Sequence, residues 1–243
     1  MVVLKRDAQS IVLVLLGGTV LRLTLSGTYL NYVKEGLKPF LIAAGGVLLL
    51  LGLVSFLRDG LFTRGPVVES EADPHAGHDH THGPRVAWLL CLPVLTIFLV
   101  APPALGSYAA GRAGDTVAKP VTDEFPPLPP GDPVQITVGE YAQRAVWGKE
   151  SALKDRSIAL TGFVTPKPGG GWYLTRMALS CCAADARAYK VEVLDSPATP
   201  KADTWVQVVG KWVPSTEANP DKAVPRIHTS HVIEVERPKD PYE

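Results

Sequence analysis

The stretch at residues 37–57 reads LKPFLIAAGGVLLLLGLVSFL and carries one charge, Lys38, at its edge. A helix needs about 20 apolar residues to cross the hydrocarbon core of a bilayer. Residues 86–106 read VAWLLCLPVLTIFLVAPPALG and carry no charge. Both stretches are apolar on all sides, whereas a surface helix of a soluble protein is amphipathic. They therefore predict two membrane-spanning helices.

A further apolar run lies near the N-terminus and is interrupted by Arg22. Lys5 and Arg6 before a short apolar stretch would also fit a cleaved signal peptide, but no small-x-small cleavage site follows. A spanning helix at about residues 9–30 is the better interpretation. A charge inside a membrane costs about 2.5–3.5 kcal/mol on insertion scales. Arg22 therefore needs a partner, which could be a lipid headgroup, a backbone carbonyl or another subunit.

Charge is spread unevenly along the 243 residues, although 24 Lys+Arg balance 24 Asp+Glu. The balance excludes a generally basic nucleic-acid-binding protein. Residues 1–106 carry eight basic and seven acidic side chains, whereas residues 107–243 carry sixteen and seventeen. The prediction is a multi-domain, multi-pass protein of the cell membrane, with an all-α region of three spans and a soluble domain. Lys and Arg near the span ends favour, by five to four, a cytoplasmic N-terminus and an extracytoplasmic C-terminal domain.

A histidine-rich loop joins the second and third predicted spans at residues 58–85. Its run PHAGHDHTHG holds four histidines within eight residues: His75, His78, His80 and His82. Neutral imidazole is a good ligand for zinc, copper and nickel, and a flexible tract can wrap around such an ion. The loop is therefore predicted to bind a metal ion, with a merely solvated polar loop as the alternative.

A Pro-rich linker and a β domain follow the predicted spans. Six prolines between residues 120 and 133 make residues 107–133 a semi-rigid, extended linker. Residues 134–238 then hold five to six short alternating segments with Gly-rich turns, before a tail at residues 239–243. This pattern predicts an all-β OB-like small barrel, with a small open sandwich as second choice. Its tryptophans lack a basic cluster, so we expect no nucleic-acid partner.

Cys181 and Cys182 are adjacent in a segment between two predicted strands. Three interpretations stay open: metal ligation, a redox pair or strained disulfide, and buried packing. As ligands, the two sulfurs suit Zn²⁺ or Cu⁺. Asp185 is the nearest further ligand in sequence. His228 and His231 would point to opposite faces of an ideal strand, but they could converge on the cysteines from a turn.

Three features together resemble the YcgQ-like family of bacterial membrane proteins. They are SGTYLNYV between the first two helices, the histidine-rich loop, and a C-terminal domain with CCAADA, WVQVVG and HVIEVERPKDPYE. The resemblance covers nearly the whole chain. It implies an accessory permease subunit whose partner is a larger multi-span permease of the YraQ type. The family is one of unknown function, so the resemblance implies no catalytic residues.

The first functional hypothesis is therefore an accessory permease subunit in the lipid bilayer that handles a transition metal, with Zn or Cu as the bound ion. The second is a membrane-anchored thiol redox or metal-delivery protein that uses Cys181 and Cys182. The third is a structural adaptor that binds another protein through its β domain. We expect no enzyme activity, because the sequence holds no GxSxG, GxxxxGK[ST] or HExxH motif.

Overall fold

The computed structural model describes residues 2–62, 91–121, 125–149, 152–197 and 199–243. These residues form two compact units. The helical unit comprises Met1–Tyr29 and Glu35–Pro103. The barrel unit comprises Leu30–Lys34 and Ala104–Glu243. A short connector between two helices thus belongs to the barrel unit, although its last residue lies 70 positions before the rest of that unit.

The helical unit contains α1 (Val2–Leu25), α2 (Lys38–Phe62) and α3 (Cys91–Leu99). Glycines let α1 and α2 approach closely. A Cβ atom on Gly17 would lie 2.7 Å from the Leu49 nitrogen, and one on Gly52 would lie 2.8 Å from Val14 Cγ2. Small residues of this kind allow two apolar helices to pack backbone against backbone.

The prediction of three membrane spans is wrong. Within the described ranges, one helix is long and apolar enough to cross a membrane, at Glu35–Arg58. The apolar part of α1 is limited to Gln9–Leu25, because the helix ends before Gly27, which adopts a φ of 79°. The described helix α3 has nine residues, or about 13.5 Å against a hydrocarbon core of about 30 Å. It ends ahead of the paired prolines that follow at residues 102 and 103.

The described residues of the barrel unit form two α-helices, α4 (Ser107–Arg112) and α5 (Val138–Trp147), and six strands. The strands are β1 (Val134–Gln135), β2 (Ser157–Pro166), β3 (Trp172–Ala178), β4 (Arg187–Leu194), β5 (Trp205–Val213) and β6 (Arg226–Glu234). Their order is β1-β2-β3-β4-β6-β5, and pairing of β2 with β5 closes a five-stranded barrel. The β4–β6 pair is parallel, and β1 adds to β2 as a parallel outer strand. The predicted small barrel is therefore present.

Alternate residues of each strand fill the barrel, as a period of two requires. The core includes Ile158, Leu160 and Val164 of β2, Trp172 and Leu174 of β3, and Val206 and Val208 of β5. A second apolar cluster lies under α4, where Ala110 packs with Phe163, Met177 and Tyr242.

At Gly162, a Cβ atom would lie 2.5 Å from the Thr175 carbonyl oxygen. Glycine at this position therefore permits close passage of two barrel strands.

Part of the Pro-rich linker packs along the barrel. Lys190 of β4 donates to the Ala113 carbonyl at 2.9 Å and to the Asp115 carboxylate at 2.5 Å. The indole nitrogen of Trp147 donates to the Val117 carbonyl at 3.0 Å. These contacts satisfy polar groups of the segment that the sequence predicts as a semi-rigid, extended linker.

Candidate functional site

The cysteine pair lies in the turn that joins β3 to β4. The ladder between these strands ends at the pair Ala178–Arg187, so the residues between them must reverse the chain. The Asp185 carboxylate holds the turn together. It accepts hydrogen bonds from the backbone N–H groups of Ser180 at 2.8 Å, Cys181 at 2.7 Å and Cys182 at 3.3 Å. Asp is suited to this role because its short side chain reaches amides of its own turn.

Three metal-ligating side chains converge in this turn. One ligand atom each from Cys181, Cys182 and Asp185 lies within 4.8 Å of the other two. Both cysteines are free thiols, and Cys181 is exposed while Cys182 is half-buried. The pair is thus neither bridged nor sealed in the core. We call these three residues the thiol–carboxylate cluster.

Hydrogen bonding sets the charge of this cluster. The Cys181 thiol and three backbone amides stabilise the ionised Asp185 carboxylate and lower its pKa to about 2. The same carboxylate, together with the Cys182 side chain, stabilises the protonated thiol of Cys181 and raises its pKa to about 11. At neutral pH the metal-free cluster therefore holds a carboxylate and a protonated Cys181 thiol, and an ion that binds there must displace the thiol proton.

His228 and His231 do not join the cysteines. Both lie on β6, where Val209 pairs with His231 and Gly210 with Thr229, so Ser230 forms a β-bulge. The bulge places both histidines on one face of the strand, since their partners Lys211 and Val209 are two residues apart. His228 pairs with Leu194 at the far end of β4, about 23 Å along the strand from its start at the cysteine turn. His228 Nε2 instead lies 3.1 Å from the Asp195 carboxylate.

Two other predicted sites have different outcomes. The histidines of the predicted metal-binding loop, His75, His78, His80 and His82, lie outside the described residues.

Arg22 contacts α3, because its guanidinium donates to the Phe98 carbonyl and lies 4.7 Å from the centre of the Phe98 ring. Phe98 is in the last turn of α3, where carbonyls lack helical partners and a cation is favoured. A backbone carbonyl is thus one partner of Arg22.

The sequence alone gave no role to the connector at residues 30–34, although it forms part of the candidate site. Val33 pairs with Cys182 in an antiparallel β-bridge. The Lys34 amide donates to the Cys181 carbonyl at 3.1 Å, and the Ala183 amide donates to the Tyr32 carbonyl at 2.7 Å. The connector therefore clamps the cysteine turn through backbone hydrogen bonds. The sequence signal for this connector was the motif SGTYLNYV. Its pairing with the cysteine turn could not be predicted, because contacts between segments about 150 residues apart leave no periodicity in the sequence.

Comparison with known protein families matches both halves of the chain. Residues 8–115 match the DUF1980 N-terminal domain, and residues 134–243 match the DUF1980 C-terminal domain. The two models leave out only residues 1–7 and 116–133. The chain belongs to the DUF1980 family. The C-terminal match contains the whole barrel and the thiol–carboxylate cluster.

A curated relative of this DUF1980 chain comes from Streptococcus mutans serotype c and is named "Putative two-component membrane permease complex subunit". It is 27% identical over 113 residues, which are 45% of this chain and 42% of the relative. The match thus spans less than half of the relative's length. No solved structure matches the chain.

Proposed function

We propose that this protein is a membrane-associated, non-enzymatic accessory subunit of a permease complex. The observation that carries the proposal is the similarity to a relative named as a subunit of a two-component membrane permease complex. Membership of the DUF1980 family along both halves of the chain supports it. The apolar helix at Glu35–Arg58 supports attachment to a lipid bilayer, because it has the length and composition to cross one.

The role is that of an accessory subunit, with the solute path supplied by a partner. A path for a polar solute needs several helices around it, and the described residues contribute one helix of spanning length and composition. The proposed partner is a multi-span permease of the YraQ type. We further propose that the barrel unit faces the extracytoplasmic side and that the solute is a transition metal, since the exposed cluster of Cys181, Cys182 and Asp185 offers ligands for one.

Co-purification from the native membrane tests this function. A tagged full-length chain, extracted in mild detergent, is expected to bring down a multi-span membrane protein in a fixed ratio. Leu50→Arg should reduce the recovery of that partner, because Leu50 is an exposed apolar side chain of α2. The matched control is Val121→Arg, which changes an exposed apolar residue of the barrel unit and should leave recovery unchanged. Purification without a multi-span protein in several detergents would contradict the proposal.

A thiol redox protein is the second candidate, because the structure presents two adjacent free thiols at the surface. It predicts a reversible Cys181–Cys182 disulfide in protein isolated without reductant. Counting free thiols before and after mild reduction separates the two functions. A constant count, together with a co-purified permease, favours the accessory subunit.

A further inference from the structure

We propose that Cys181, Cys182 and Asp185 form a three-ligand binding site for Zn²⁺ with an open fourth position. The site stands on the geometry of the turn alone. That it delivers or senses the solute of a permease rests on the proposed function.

The ligand atoms are close to the arrangement that zinc requires. In a tetrahedral site the Zn–S distance is about 2.3 Å and the Zn–O distance about 2.0–2.2 Å, which places two sulfurs and one oxygen roughly 3.5–3.8 Å apart. The three atoms of the cluster already lie within 4.8 Å of one another. Closing the remaining gap takes small side-chain rotations, and exposed Cys181 is free of the packing that would oppose them.

The ligand types select the ion. Two thiolates and one carboxylate carry three negative charges, and a divalent cation neutralises most of that charge. Mg²⁺ and Ca²⁺ prefer oxygen ligands, while Cu⁺ prefers sulfur alone, so two sulfurs with one oxygen favour Zn²⁺.

The surrounding backbone holds the ligands in place before an ion arrives. Three amides fix the Asp185 carboxylate, and the connector fixes both cysteines through Val33 and Lys34. The Lys34 ammonium also donates to the Leu179 carbonyl at 3.1 Å, next to the turn. Three protein ligands and one open position characterise zinc sites that exchange a ligand, whereas structural zinc sites have four protein ligands. The exposed side of Cys181 is where a ligand from a partner or water would complete the site.

Zinc titration of the full-length chain in detergent, under reductant, tests the inference. The background protein has His75, His78, His80 and His82 changed to Ala, so that zinc on the histidine-rich loop does not mask the site. We expect one Zn²⁺ per chain by competition with a chromogenic chelator. Cys181→Ser and Cys182→Ser should each abolish this binding, and Cys91→Ser is the matched control that should keep it. Retention of zinc in the Cys181→Ser and Cys182→Ser double variant would overturn the site.

Cobalt substitution gives a readout of the ligands themselves. Co²⁺ bound to the background protein should show a thiolate-to-cobalt charge-transfer band that Cys181→Ser and Cys182→Ser each remove. Asp185→Asn should weaken binding by more than the roughly 10- to 100-fold that loss of an outer-shell partner costs. Binding of Cu⁺ without binding of Zn²⁺ would overturn the assignment of the ion. Partner recovery from membranes is measured on the same variants, so a failed metal site and a failed permease role are told apart.

Discussion

Asp185 is the residue on which the local chemistry depends. Its carboxylate accepts hydrogen bonds from three backbone amides and from the Cys181 thiol. The first three build the turn, and the fourth keeps Cys181 protonated by raising its pKa to about 11. A single side chain thus shapes the turn and suppresses the nucleophilicity of its neighbour, since the thiolate is the reactive form of cysteine.

The pH dependence of Cys181 alkylation follows from this pairing. In metal-free protein, alkylation should remain slow at neutral pH and rise only as pH approaches about 11. Asp185→Asn removes the negative charge, so the pKa should fall toward the ordinary value of about 8.5 and the rate at pH 7 should rise about tenfold. Iodoacetamide labelling followed by mass spectrometry of the Cys181 peptide measures the change. Equal rates in both proteins would contradict the role of Asp185.

Glu243 gives a second pH dependence at the residue scale. Its carboxylate accepts from the amides of Val138 at 2.9 Å and Gly139 at 2.8 Å at the start of α5, and burial raises its pKa. Because the folded pKa is above the unfolded value, its protonated form favours folding. Its contribution is therefore complete below the unfolded pKa and is lost as pH rises through the folded pKa. Thermal melting from pH 4 upward should show this loss, and Glu243→Gln should flatten it.

At the scale of elements, α1 and α2 pack against each other through one glycine of each adjacent glycine pair. A Cβ added at Gly17 would meet the backbone of Leu49 and Gly45, whereas one at Gly18 has no described residue within 4 Å. A Cβ at Gly45 would likewise meet Leu21, while one at Gly46 has no described residue within 4 Å. The two glycines of each adjacent pair therefore have different structural roles. A hairpin of two apolar helices that approach this closely depends on van der Waals contact at the buried glycines.

Substitution of the two neighbouring glycines should separate these roles. Gly17→Leu is expected to destabilise the helix pair by about 1–3 kcal/mol, because the added side chain forces the backbones apart. Gly18→Leu is the matched control and should have little effect on packing, since none of the residues that the structure describes lies within 4 Å of a Cβ at this position. Denaturant unfolding in detergent micelles measures the difference. Equal destabilisation by both changes would contradict the observed helix contact.

At the scale of the whole molecule, distant parts of the chain meet within the barrel unit. The Tyr242 hydroxyl donates to the Asn31 carbonyl at 2.8 Å and accepts from the Leu105 amide at 2.9 Å. One side chain near the end of the sequence thus joins the connector and the segment before α4 to the barrel. Asn31 and Leu105 each lie just after a segment of the helical unit in the sequence. The barrel unit is therefore assembled by long-range contacts as well as by its strand ladder.

Removal of the Tyr242 hydroxyl tests this assembly. Tyr242→Phe should lower the free energy of unfolding of the full-length chain by about 1–3 kcal/mol, because it leaves the Leu105 amide and the Asn31 carbonyl without this partner. Tyr242 is only 6% exposed, whereas Tyr108 is 74% exposed. Tyr108→Phe is thus the matched control and should leave stability unchanged. Similar stability of both variants would show that the two hydrogen bonds contribute little.

Local pattern was enough to predict most of the barrel. Alternating residues within 134–238 predicted five to six short strands, and the described residues form six, because a strand buries every second side chain. The local pattern did not predict the faces of β6, since the bulge at Ser230 shifts them. The count of membrane spans was wrong because apolar composition does not reveal where Gly27 and the paired prolines end a helix.

The sequence by itself determined an apolar helix of spanning length, a small β barrel and a cysteine pair with a nearby Asp. Each is a local property of composition or periodicity. Only the tertiary structure decided that Asp185 joins the cysteines, that His228 lies at the far end of β4 while His231 pairs with β5, and that residues 30–34 hold the turn in place. The physical reason is that strand register and backbone pairing between distant segments depend on how the whole barrel closes, and no local pattern records that closure.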